Sequence, residues 1–367
     1  MTDPGFDPGA QDDFAALRAA SLEVGKVIVG QHRVMERLWS CLLSEGHALL
    51  EGVPGVGKTA MLTAMSQAVG CSFSRIQFTA DLMPSDILGT RIYRSSSESF
   101  SVEKGPIFAN FVLADEVNRA PAKVQSALLE VMAESQVTLA GQTMQVPSPF
   151  LVLATQNPID SEGTYSLPEA QRDRFMMRIM VEYPTPEEEW EVMNRHAVPS
   201  ASVNPVMTAD QLRSLQQRAR TLPLDEAVAR YALELVMATR HPARFGLDHL
   251  RDQLSYGASP RASLALLRSA RGLALVRGRP SVSPQEIYDV AFDVLNHRLV
   301  LSYRALADGI GVQDVLHAIL TTVKAPLHAT GHLVAGSTTI SNQNGWQEPM
   351  VAPMPPPGYP VPGPVTR

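Results

Sequence analysis

Two cysteines, Cys41 and Cys71, are all the thiols in this 367-residue chain, too few for a disulfide scaffold. Cys41 falls in an apolar helical stretch and Cys71 leads into a strand, so both are read as buried free thiols. Nowhere does an uninterrupted apolar run approach the ~18 residues of a membrane-crossing helix. The opening segment, MTDPGFDPGAQDDF, is acidic and lacks the basic-then-apolar layout of a secretory signal. Basic residues are in deficit: 31 Lys and Arg against 37 Asp and Glu leave a net charge of −6. That balance gives no support to broad nucleic-acid binding through clustered cations. The histidines, His32 and His47 among them, show no metal-ligand spacing and are read as structural or surface residues. What remains, 45% hydrophobic and 19% charged, is ordinary for a soluble globular protein expected in the cytoplasm. The length accommodates two domains.

Along the chain, residues 1–18 read as a flexible lead. Short apolar runs at 48–50, 73–78, 111–114, 150–155 and 175–181 then alternate with helical stretches. This is the pattern of crossover units, a parallel sheet with helices on both faces. After Tyr183 and Pro184 the strand signals stop. Segments 187–196, 209–220, 226–240, 261–276 and 284–295 carry helical periodicity, two of them opened by capping boxes, Thr208 with Gln211 and Ser283 with Glu286. The expectation is an α/β core over 19–185 and a smaller all-helical domain over 186–335. A Pro-rich tail over 336–367 has no periodicity and reads as disordered. Two β-hairpins are expected inside the core, one from 89–93 and 100–105, the other over 136–146 around Ala140 and Gly141.

The eight residues GVPGVGKT, 52–59, fit the phosphate-binding pattern G-x-x-x-x-G-K-[ST], with a strand leading in and a helix leading out. Such a loop wraps a phosphate with backbone N–H groups at a helix N-terminus. Lys58 is expected to reach the β- and γ-phosphates, and the Thr59 hydroxyl to take a position on Mg²⁺. A second strand, FVLADE, ends in Asp115 and Glu116, where open α/β sheets place their ligands. Asp115 is assigned to Mg²⁺ and Glu116 to the general base that polarises water. A third strand ends in Asn157, whose amide is expected to orient that water. Arg172 and Arg174 precede the last strand. Arg261 stands at a helix N-terminus, where the dipole disfavours a cation, so an anionic partner such as a triphosphate is expected there.

GVPGVGKT, LADEVNRAPAKVQSALLEVMAE, ATQNPIDSEGTYSLPEAQRDRF and GASPRASLALLRSARGLALVRGR together resemble the MoxR family of AAA+ ATPases, over roughly residues 19–301. The resemblance implies ATP and Mg²⁺ as ligands and an AAA+ core with a five-stranded parallel sheet followed by a helical lid. It implies that Gly52, Val53, Pro54, Gly55, Val56, Gly57, Lys58, Thr59 and Ala60 hold the phosphates. Asp115 and Glu116 become the Walker B pair, Asn157 sensor 1 and Arg261 sensor 2. Val29 and Gly30, in VIVGQ, become the adenine contacts. Arg174, in DRF, matches the arginine finger that acts on a neighbouring subunit; the family carries an apolar residue where Arg172 stands. ATP is then expected between core and lid, with Arg261 reading the γ-phosphate of its own chain and its loss changing the lid angle. The family works as hexamers, with von Willebrand factor A domain partners and protein clients. A nucleic-acid motor is disfavoured by the charge balance and by hairpin turns, SSSES and LAGQT, that lack a basic cluster.

Overall fold

Five strands form one parallel sheet in the order β2-β5-β8-β1-β9. They are β1 (Ala48–Gly52), β2 (Phe73–Gln77), β5 (Phe111–Asp115), β8 (Leu151–Gln156) and β9 (Met177–Val181), the five apolar runs read from the sequence. The computed structural model describes residues 8–95, 98–156, 165, 167–196 and 202–326. The tail over 336–367 and Asn157 lie outside them.

The inner strands β5, β8 and β1 are buried on both faces, which is why they read as continuous apolar runs and not as alternations. One face packs on α1 (Pro8–Gly25), α2 (His32–Leu43), α3 (Lys58–Ala68) and the helices that follow the core; the other packs on α4 (Pro84–Leu88) and α5 (Ala122–Glu134). Both expected hairpins are present. β3 (Gly89–Arg94) pairs with β4 (Ser99–Lys104), and β6 (Gln136–Leu139) with β7 (Gln142–Gln145). The second turns through Ala140 (φ 51°) and Gly141 (φ 80°), the positive φ pair of a tight hairpin. A short helix, α6 (Glu169–Arg172), leads into β9.

The helical part comprises α7 (Pro186–His196), α8 (Ala209–Thr221), α9 (Glu226–Arg240), α10 (Pro260–Val276) and α11 (Pro284–Leu295), close to the expected spans. Gln211 N donates to Thr208 Oγ1 at 3.2 Å, while Thr208 N donates to the Gln211 side chain at 3.0 Å. Ser283 N donates to Glu286 Oε2 at 2.9 Å. Four elements beyond the expectation follow or intervene: β10 (Leu254–Tyr256) pairs antiparallel with β11 (Val300–Leu301), and α12 (Tyr303–Ala307) and α13 (Val312–Thr322) close the fold.

One expectation is corrected. Residues 8–18 are not a flexible lead but the first part of α1, with Ala16 and Leu17 buried. Asp13, in that helix, is covered because Ser214 Oγ donates to its carboxylate at 2.5 Å. The core and the helical part pack directly on one another. α10 lies on α2 and α11 on β9, one apolar cluster runs through both parts, and all described residues belong to a single compact unit, Met1–His328.

Candidate nucleotide site

The phosphate loop connects β1, held between β8 and β9, to α3. Gly52 is the last strand residue; a Cβ there would sit 2.4 Å from the Val181 carbonyl oxygen, so only glycine lets the two strands close. Gly55 (φ 88°) and Gly57 (φ 82°) adopt left-handed backbone, the conformation that turns the loop onto the helix. Gly57 is the N-cap of α3 and supplies no side-chain acceptor, so the first-turn N–H groups remain available to an anion. Lys58 is half-buried, with Nζ donating to the Gly52 carbonyl at 2.7 Å. Burial lowers its pKa, opposed by the negative field of Asp115, Glu116 and Glu51. Thr59 is half-buried and Ala60 exposed at the start of the same helix.

Asp115 ends β5 beside this loop. Thr155 Oγ1, on β8, donates to its Oδ1 at 2.5 Å, and Arg75, on β2, donates to its Oδ2 at 2.6 Å. A carboxylate offers about four lone-pair sites, so these donors leave room for a cation. Glu116 follows in left-handed backbone (φ 57°, ψ 49°), a costly conformation for a side chain with a Cβ. It is held there: Glu116 N donates to Thr155 Oγ1 at 2.9 Å, Gln77 Nε2 donates to Glu116 Oε2 at 3.1 Å, and Arg119 Nε pairs with the same oxygen at 3.1 Å. Sequence reasoning missed Arg75, Gln77, Arg119 and Thr155. The signal was present for two of them, since Arg75 and Gln77 alternate on the strand beside β5 and share one face of the sheet.

Val29 is buried, and Gly30 lies against the Glu188 side chain of α7. Gln31 Nε2 donates to the Glu182 carbonyl at 3.0 Å, one residue past the Val181 that pairs with Gly52. The VIVGQ segment therefore stands at the same sheet edge as the phosphate loop. Val53, Pro54 and Val56 complete the loop between these groups. A Lys, uncapped amides, a hydroxyl and two carboxylates converge here, a donor set suited to a Mg²⁺-bound triphosphate.

Arg174 and Arg261 are elsewhere. They share a cavity of about 730 Å³ with Glu45, His47, Phe150 and Arg268. Its walls come from the residues just before β1, β8 and β9, so it opens at the N-terminal ends of the strands. The phosphate loop is at the C-terminal ends, about 16 Å away along the five residues of β1 at ~3.3 Å each. Arg261 thus does not stand over its own chain's phosphate loop, where the sequence reading placed it. The anion it meets is Asp173, whose Oδ2 lies 3.6 Å from its guanidinium, and its side chain remains 59% exposed. Arg174 is exposed. Arg172 turns the other way: half-buried, with Nε unpartnered among the described residues, in the field of Arg178 and Glu51.

Residues 47–177 match the family described as ATPase family associated with various cellular activities (AAA), and residues 249–319 match the AAA lid domain. The chain is 51% identical to Chaperone MoxR1 of Mycobacterium tuberculosis over 323 residues, covering 88% of this chain and 86% of that protein. It is 30% identical to Protein MoxR of Paracoccus denitrificans over 342 residues, covering 88% and 99%. The crystal structure of an inferred ATPase from Cytophaga hutchinsonii superposes with a TM-score of 0.82 at 44% identity, covering 87% of this chain and 98% of that one.

Proposed function

This chain belongs to the MoxR family of AAA+ ATPases, and from that premise we propose that it hydrolyses ATP at a site completed by a second copy of itself, using the cycle to remodel partner proteins. One observation carries the reading. Phosphate loop, Asp115 and Glu116 gather at one edge of the sheet, while exposed Arg174 and Arg261 line a cavity at the opposite edge. A single chain cannot bring the two sets onto one nucleotide; two copies stacked edge to edge can. Arg261 then acts across the interface together with Arg174.

In this reading the uncapped amides of α3 and Lys58 hold the phosphates, and Val29 and Gly30 border the base. Thr59 and Asp115 would hold Mg²⁺, which when bound neutralises phosphate charge. Glu116 accepts the proton of the attacking water, its carboxylate oriented by Gln77 and Arg119, and Asn157 orients the water. Arg174 meets the charge that develops on the transferred phosphoryl, a role worth about 10³–10⁵ in rate in related sites. The family resemblance supplies the finer expectations: a hexameric ring, a von Willebrand factor A domain partner, a protein client and a cytoplasmic setting. Among the described residues no helix is long and apolar enough to cross a membrane.

The test is complementation. Arg174→Ala and Glu116→Gln are each expected to be nearly inactive; mixed, they should recover activity, because the base of one subunit meets the finger of the other. Mixed oligomers, confirmed by co-purification of differently tagged chains, that remain as inactive as either parent would refute a shared site.

A further inference from the structure

Arg174 belongs to a three-residue run, Arg172, Asp173 and Arg174, between α6 and β9. The three side chains differ in setting: Arg172 is half-buried, Arg174 is exposed, and Asp173 faces the helical lid. Asp173 Oδ2 accepts from Ser259 Oγ, the N-cap of α10, at 2.9 Å and faces Arg261 at 3.6 Å. Its Oδ1 accepts from Arg298 Nε at 2.8 Å. Arg298 is buried and does more than neutralise this carboxylate: it donates to the backbone carbonyls of Phe175 at 2.6 Å and Met176 at 3.1 Å. The residues before it do the same. His297 Nε2 lies 3.1 Å from the Phe175 carbonyl, and Asn296 Nδ2 donates to Arg178 O at 3.0 Å.

Three consecutive lid residues, 296–298, are therefore stitched to the strand that begins at the finger. Asp173 ties both α10, which carries Arg261, and Arg298, just past α11, to that segment. Burial and charge explain why the joint is firm at Arg298 and loose at Arg261. Charge-assisted bonds to a buried guanidinium are strong, whereas an exposed pair at 3.6 Å is screened and exchanges readily. Arg261 is held near Arg174 without being sequestered from a phosphate.

We propose that Asp173 is a positioning residue, a clasp that makes the lid and the finger segment one body and presents Arg174 and Arg261 together to the neighbouring subunit's nucleotide. The lid then does not hinge freely on its own core; a change at the phosphate site is passed on at the joint between copies. This rests on the shared-site reading above.

Asp173→Asn in the full-length chain removes the charge but keeps the shape. Its kcat is expected to fall about 10²-fold, the scale of a small misplacement of a catalytic group, with affinity for a fluorescent ADP analogue unchanged. Mixed with Glu116→Gln, it should regain activity, because its own phosphate loop and base are intact and its partner contributes an intact clasp. Wild-type turnover, or no recovery in mixtures where Arg174→Ala with Glu116→Gln does recover, would overturn the proposal alone. Failure of both mixtures, with mixed oligomers present, would overturn the shared site and the clasp together. Should Asp173→Asn prove unfolded by circular dichroism, Ser259→Ala, which deletes one donor to Asp173, takes its place in the same mixtures: reduced turnover with recovery supports the clasp, and wild-type turnover or no recovery overturns it.

Discussion

Acid should loosen the floor of the arginine-lined cavity through one buried histidine. His47 precedes β1, and its ring bridges two neighbours: Val152 N, on β8, donates to Nδ1 at 3.0 Å, and Nε2 lies 2.9 Å from the Met132 carbonyl at the end of α5. Since Nδ1 must accept, Nε2 carries the proton and the ring is neutral. Burial holds its pKa down at about 4 against an ordinary 6.5. Above pH 6.5 the folded and unfolded chains are both neutral at this position and the group adds no pH dependence. As pH falls from 6.5 to 4 the unfolded chain takes up a proton that the folded chain refuses, so stability is lost through that window. The loss is about 2 kcal/mol at pH 5 and approaches about 3 kcal/mol below pH 4, at roughly 1.36 kcal/mol per pH unit. His297, also buried, has its pKa lowered by desolvation first and then by Arg298, and adds in the same direction. The assay is urea unfolding of the wild type and of His47→Gln, which keeps one acceptor and one donor but does not titrate. Between pH 7 and 5 the wild type should lose about 2 kcal/mol more than the variant. Parallel pH profiles, or a His47 ring that titrates near 6.5 by NMR in the folded chain, would refute the reasoning.

Gly52→Ala forces a Cβ to within 2.4 Å of the Val181 carbonyl and should destabilise the fold by about 1–3 kcal/mol. Gly55→Ala meets no neighbour but a φ of 88°, so its cost should be about 1 kcal/mol, with the larger loss in nucleotide affinity; equal melting shifts for the two would contradict this division. Lys58→Ala should abolish the thermal upshift produced by ADP while leaving the ligand-free melting temperature close to wild type, since the half-buried ammonium is itself a desolvated charge. A retained ADP-dependent shift would remove Lys58 from the site. Glu116→Gln should keep ATP bound and lower turnover by about 10²–10⁴, the range of a lost general base; wild-type turnover in quenched-flow measurements would remove Glu116 from that role.

The sheet was legible because its strands are buried on both faces and so appear as apolar runs, and the lid helices because Thr208 and Ser283 mark their starts. The start of α1 was not. Asp12, Asp13, Gly9 and Pro8 look like solvent-exposed chain, and what covers Asp13 is Ser214, 201 residues away. Arg261 is a subtler case. A cation at a helix N-terminus does call for an anion, and one is there, but it is Asp173 of the same chain, a partner no spacing rule connects to it. The orientation of Glu116 likewise depends on Gln77, which strand alternation places beside Arg75, and on Arg119, which no sequence signal singles out as a partner of that carboxylate.

What local sequence does contain is the side of each strand on which a motif falls, and in a parallel sheet that decides which edge it occupies. The phosphate loop follows β1 and the Asp115–Glu116 pair follows β5, so both stand at the C-terminal edge, where α/β sheets bind ligands. Arg172, Asp173 and Arg174 precede β9, so they stand at the opposite edge whatever the lid does. Had the lid hinged independently, Arg261 would have been free to swing over its own nucleotide. The bonds from 296–298 to the start of β9 instead tie the lid to the edge that carries Arg174. On the proposed reading, a catalytic set split between two edges of one sheet is complete only between chains, and ATP turnover would then report on how copies of this protein meet.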